Sequence, residues 1–177
     1  MAKIVLIPSL VAAKNIDSLN QSFLDSSNDY DNGMVFKAGA YDSAKQTYTP
    51  AAIGSGELHD VYMAFSPEDS IMTDEMGNQY KIGLNDPRNF TNSKGLVFSA
   101  YRPQVGDKIL ISANGIEGTA DDYAVVAAGE NKLQYASAAV SGLSYKVLDD
   151  SAYISIGGAS AIGTQRVAAV LLECVAI

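Results

Sequence analysis

The sequence predicts a mainly β protein: an antiparallel β-sandwich or barrel with an extended N-terminal arm and at most one or two short helices. Three observations lead there. From Met34 onward the chain is written in short runs rich in β-branched and aromatic residues, close to the spacing of about 8–12 residues typical of sandwiches and barrels. Between the runs lie Asn32-Gly33, Met76-Gly77-Asn78, Asn114-Gly115 and Gly129-Glu130-Asn131, and such pairs supply the positive φ angles that tight turns need. No helical segment of about 10–15 residues separates consecutive runs, which disfavours a parallel βαβ sheet.

Taken in order, "KIVLI" at 3–7 predicts a strand or extended arm ending at Pro8. Ile16, Leu19 and Phe23 then fall three to four apart, and with Ser9 as a cap they predict a short amphipathic helix. "DSSNDYDN" follows, built of residues that bond their own backbone, and predicts a linker. The division expected is an arm over 1–28 and a β body over 29–177. Strands are predicted at "GMVFKAG", "HDVYMAFS", "QYKIGL", "LVFSAY", "DKILISA", "YAVVAA", "KLQYAS", "LSYKVLD", "AYISIGG" and "RVAAVLLECV", with Asp149-Asp150 as a turn. "SPEDS" at 66–70 has the form of a helix start, with Ser66 as cap and Glu68 and Asp69 in the first turn. The last run has too little alternation for a solvated edge strand, which predicts burial on both faces or packing against another subunit.

Composition narrows the function classes. A chain of 177 residues suits one domain and can hide about 70% of its unfolded surface without a disulfide or metal staple. The net charge of −8 repels phosphate backbones and anionic lipid heads, so neither nucleic acid nor membrane is an expected partner. The one cysteine, Cys174, allows no internal disulfide and sits in an apolar run as a small buried thiol. The N-terminal apolar stretch is short for an export signal and is broken by Pro8, so synthesis in the cytoplasm is expected.

Each motif with a chemical look has a plainer reading. In "NDYDNGMVFKAG", placing Gly33 at the glycine of a calcium loop puts Tyr30 at a ligand position and Gly39 where the bidentate glutamate belongs, so a polar turn is expected. "GASAIGTQ" has the glycine spacing of a phosphate-binding loop, but Thr164 stands where lysine must be. "NGIEGTADDY" gathers Glu117, Asp121 and Asp122, and would be the first place to seek a hard cation; a solvated acidic turn is the commoner outcome, and no metal or other cofactor is expected. "GSGELHD" puts Ser55, His59 and Asp60 close in sequence, yet a triad is assembled by the fold and no G-x-S-x-G elbow is present. No catalytic residue is expected. The triplets at Asn20 and Asn89 fit glycosylation, which has no weight without secretion.

The order "DNGMVFKAGAY", "DVYMAFSPED", "GLVFSAYRPQVGDKILIS", "LSYKVLDDSAYISI" and "VAAVLLECV" resembles the decoration, auxiliary head and head-fibre proteins of tailed bacteriophages. The resemblance implies a non-enzymatic structural protein on the capsid exterior, made in the host cytoplasm, binding the major capsid protein and forming a homo-oligomer, with a trimer favoured. It also implies that the N-terminal segment lies along the shell, with Ile4, Val5, Leu6 and Ile7 as its apolar grip. Two other expectations stand beside it: another virion part, such as a tail tube, baseplate or fibre, or a carbohydrate-binding or adhesive module that stacks sugars on some of the ten tyrosines.

Overall fold

The computed structural model describes residues 3–67, 70–73, 79–82, 87–157 and 164–177, those of 70–73 and 79–82 by their backbone. Among the described residues strands dominate and no helical turn is longer than three residues, so the protein is mainly β as expected. In chain order the strands are β1 (Leu6–Leu10), β2 (Asn20–Leu24), β3 (Val35–Asp42), β4 (Thr47–Ala51), β5 (Val61–Ala64), β6 (Ser70–Thr73) and β7 (Gln79–Ile82). They continue with β8 (Val97–Tyr101), β9 (Lys108–Ser112), β10 (Ile116–Glu117), β11 (Tyr123–Val125), β12 (Leu133–Ala136), β13 (Ser144–Gly157) and β14 (Thr164–Ala176).

Five strands close into a barrel in the order β2-β4-β3-β5-β8, and seven form a sheet in the order β1-β9-β14-β13-β11-β12-β10. β6 and β7 make a separate antiparallel hairpin. The barrel is antiparallel except where β2 meets β4, parallel through Phe23 and Tyr48. Its interior is aromatic. The Phe23 and Phe36 rings meet edge-on with centroids 4.9 Å apart, and Tyr30 stacks on Phe98 at 5.2 Å. The main core lies between the barrel and one face of the sheet: Val35, Val61 and Met63 pack with Ile109, Ile111, Val170, Leu172 and Tyr145. Strand alternation makes this possible, because residues two apart share a face.

The N-terminal segment departs from expectation. No amphipathic helix forms over 9–24; two 3₁₀ turns, Ala12–Lys14 and Asp17–Leu19, lead directly into β2. Phe23 enters the barrel as a strand residue, and the three-to-four spacing that suggested a helix arises from two turns and an alternating strand. β1 runs through Pro8 instead of stopping there, which an edge strand permits because its outer row needs no donor. The segment expected as an arm therefore contributes one strand to the sheet and one to the barrel.

Three further differences have physical causes. Asp149-Asp150 is not a turn: β13 continues through both residues, and bulges between Val147 and Ala152 absorb the mismatch with β14. β4, absent from the sequence-based set, carries Pro50, a residue that argues against a strand; here it sits beside a register shift in β3. β2 was hidden inside the expected helix. The final strand does lie centrally, between β9 and β13, with Val170, Leu172 and Cys174 in the main core and Ala169 in a satellite cluster on the other face. Of the expected helix start at 66–70, residues 68 and 69 lie outside those described, Ser66 and Pro67 are not helical, and Ser70 begins β6.

Candidate functional site

The polar stretch before β3 is structural. The buried Asp31 carboxylate accepts from the Ile4 amide at 3.3 Å and the Thr91 hydroxyl at 2.7 Å, and pairs with the Lys3 ammonium at 3.3 Å. The Asn32 side chain bonds the backbone of Ser66. Gly33 has φ +95°, and a Cβ there would lie 3.0 Å from Ile111 Cδ1, so the turn also lets the backbone press onto the sheet. Asp25 accepts from the Ser27 and Asn28 amides in a local turn. The carboxylates of 25–31 therefore tie backbone together and do not converge on a common point.

Ser55, His59 and Asp60 do not assemble into a relay. Nδ1 of His59 pairs with the Ile177 backbone oxygen at 3.0 Å, and the Asp60 carboxylate takes the Arg102 guanidinium at 2.7 Å. His59 and Asp60, with Val61, Arg102, Pro103, Leu143 and Ile177, line a shallow cavity of about 240 Å³. The one side-chain carboxylate in its described lining, that of Asp60, is already paired with a guanidinium, and that lining has no Ser, Thr, Cys or Lys.

In the acidic loop, Glu117 pairs with Gln134 at 3.2 Å and with Lys132 at 3.2 Å. The Gln134 hydrogen bond and the Lys132 ammonium hold its carboxyl below the usual range. Asp121 accepts from the Asp122 amide. Among the described residues no group of three or more His, Cys, Asp or Glu side chains could hold a metal ion. "GASAIGTQ" falls almost wholly outside those residues. Cys174 is buried, and burial followed by the Asp107 charge pushes its thiol up to about 12, which suits an inert core residue. Among the described residues no helix is long and apolar enough to cross a membrane.

Asp107, which sequence reasoning missed, is a buried staple. Its carboxylate accepts from the Ala12 amide and the Gln104 amide, each at 2.8 Å, fixing the chain after β1 against the turn before β9. Only the "VGDK" turn signal hinted at it.

The expected grip divides by alternation. Ile4 and Leu6 are buried in the main core and Val5 in the satellite cluster with Ile154, Ile156 and Ala169. Ile7 alone of the four reaches solvent, 41% exposed. The surface it belongs to was not legible beforehand. Ile7 opposes Leu110, which opposes Leu171, so the three form a row across β1, β9 and β14 on the face turned from the main core. Leu10, 65% exposed, borders the row beside the Lys108–Glu173 ion pair, and Leu148, 41% exposed, lies in the bulge of β13 at its other end. The aromatic candidates are fewer. Tyr41 and Tyr48 are neighbours on the β3–β4 hairpin with ring centroids 4.9 Å apart but planes tilted by 50°, so they do not make one flat platform.

No family model, no curated protein and no solved structure matches this chain.

Proposed function

We propose that the protein is a structural component of a tailed-phage particle that attaches to the outside of the capsid and covers or reinforces it. The observation that carries this reading is the set of exposed apolar side chains Ile7, Leu10 and Leu148 around the half-buried Leu110 and Leu171, on the face of the sheet turned from the main core. A surface of this kind suits contact with another protein, and its rim is charge-balanced by Lys108 and Glu173. The resemblance in sequence order names the partner class, the major capsid protein. The polar groups that looked chemical are engaged in internal bonds, which fits a protein acting through its surface.

Burying Ile7, Leu10 and Leu148 would yield about 3–5 kcal/mol at roughly 25 cal/mol per Å² of apolar area. That is comparable to the lower estimates of the entropy lost on association, so single attachment is weak and repeated attachment is needed. Electron cryomicroscopy of particles produced with and without the protein tests the reading. Exterior capsid density present only in the former supports it; identical exteriors, or extra density confined to the tail, reject it.

A second reading, an adhesive sugar-binding module, draws on the exposed Tyr41 and its neighbour Tyr48. Glycan-array binding abolished by Tyr41→Ala would favour it, and an array without hits removes it.

A further inference from the structure

β13 and β14 outrun their sheet. β11 pairs with β13 only over Ser144–Lys146, and β9 pairs with β14 only over Ala169–Glu173. Beyond those points Tyr153–Gly157 and Thr164–Ala168 pair with each other and with no other described strand. Among the described strands the result is a two-stranded ribbon with an open edge along β13. Open edges expose a row of unpaired backbone groups and are normally guarded by charge, proline or a bulge. On this edge the guards stop early. Bulges and two aspartates, Asp149 and Asp150, protect the base, whereas "AYISIG" at 152–157 has no charge, no proline, and Tyr and Ile residues that suit strands.

We infer that this edge is an interface, and that its partner is a second copy of the chain, joined by antiparallel pairing of β13 with β13 about a two-fold axis. Charge selects this occupant and this direction. The ribbon is acidic at its base, with Asp149 and Asp150 beside the exposed Asp121 and Asp122 of the neighbouring loop, whose Asp122 carbonyl accepts from the Val147 amide. Glu173, opposite Lys146 at the base, is shared with Lys108. Toward the tip stands Arg166, opposite Ser155 and 4.3 Å from the Tyr153 ring centroid. Antiparallel pairing brings the base of each ribbon to the tip of the other: with Asp150 of one copy opposite Ser155 of its mate, the mate's Arg166 lies one strand further along the same cross-strand row. Parallel pairing would set the aspartates against each other. The two-fold arrangement is self-complementary and closes at two copies, unlike the trimer that the resemblance implies. Because the axis of a continuous antiparallel sheet is perpendicular to the sheet, both outer apolar rows would face the same way. The dimer does not depend on the capsid reading, since it concerns the isolated protein.

Sedimentation analysis of the full chain across a concentration series provides the test. The expected result is a reversible dimer, twice the 18.7 kDa chain mass. Ser155→Glu, which sets a like charge against Asp150 of the mate at an exposed edge position, should raise the dimer dissociation constant by about tenfold. Asp150→Lys and Arg166→Glu should each raise it by about five- to tenfold, and the double variant should return to within about twofold of the parent. The double variant also separates lost pairing from lost folding. A monomer throughout, a trimer, a dimer indifferent to Ser155→Glu, or a double variant no better than the singles overturns the inference.

Discussion

Asn32 and Ser66 bond to each other twice: Nδ2 of Asn32 donates to the Ser66 carbonyl at 3.0 Å, and the Ser66 amide donates to Oδ1 of Asn32 at 3.0 Å. A side chain here completes a ladder that the backbone leaves open after β5, 34 residues away in sequence. Asn92 Nδ2 also donates to the same Oδ1, at 3.2 Å, so the turn before β3, the end of β5 and the approach to β8 meet at one fully buried amide. Asn32→Asp keeps the size but sets a carboxylate oxygen against the Ser66 carbonyl. We expect a loss of about 2–4 kcal/mol, read from the urea midpoint at neutral pH. A change below about 0.5 kcal/mol would show that the pairing is dispensable.

Tyr145 presents the opposite case. Its side chain is fully buried in the main core, and its hydroxyl has no hydrogen-bond partner among the described residues. Burying a hydroxyl without a partner is unfavourable, so Tyr145→Phe should stabilise the protein, by about 1 kcal/mol. Thermal unfolding of the two proteins side by side gives the sign. A destabilised variant would mean that the hydroxyl is satisfied in solution.

Gly142 is where two segments cross. Its φ is +145°, and a Cβ would lie 2.4 Å from Leu58 Cβ and 2.5 Å from the Leu58 carbonyl oxygen, which the Leu143 amide uses at 3.0 Å. Backbone cannot yield as a flexible side chain would. Gly142→Ala should destabilise by at least about 2 kcal/mol, while Gly129→Ala, at a positive φ but in open space, should cost about 1 kcal/mol. Equal midpoints for the two variants would contradict the close crossing.

Acid stability turns partly on Asp25. Burial alone would raise its pKa, but hydrogen bonds from the Asn28 side chain, the Ser27 and Asn28 amides and the Tyr30 hydroxyl outweigh it and lower the folded-state value below 3.8. A group depressed in the folded state stabilises above its unfolded pKa and loses that contribution as pH falls through the folded value. The difference in stability between the parent and Asp25→Asn should therefore be larger at pH 7 than at pH 2.5. A difference independent of pH would show that the carboxylate's charge is irrelevant.

How far the sequence could be read follows from which interactions are local. β9 was legible in "DKILISA" and β8 in "LVFSAY", because alternation and flanking turn residues are contained within each run. The arm was misread because its grouping of Ile4, Val5, Leu6 and Ile7 looks continuous, whereas each residue's fate depends on the face it presents once β1 pairs with β9. The parallel contact of β2 with β4 and the run of β13 through Asp149 depend on neighbours distant in sequence, so no window of the chain contains them. The outward row was invisible for the same reason: Ile7, Leu110 and Leu171 become neighbours only through two strand pairings.

Co-sedimentation of the purified protein with empty capsids of its phage tests the central claim most directly. We predict saturable binding by the parent and at least a tenfold loss of affinity, about 1.4 kcal/mol, in the Leu10→Glu, Leu148→Glu double variant, whose changes lie at exposed positions. Absence of binding by the parent, or undiminished binding by the variant, would contradict attachment through the outer face of the sheet.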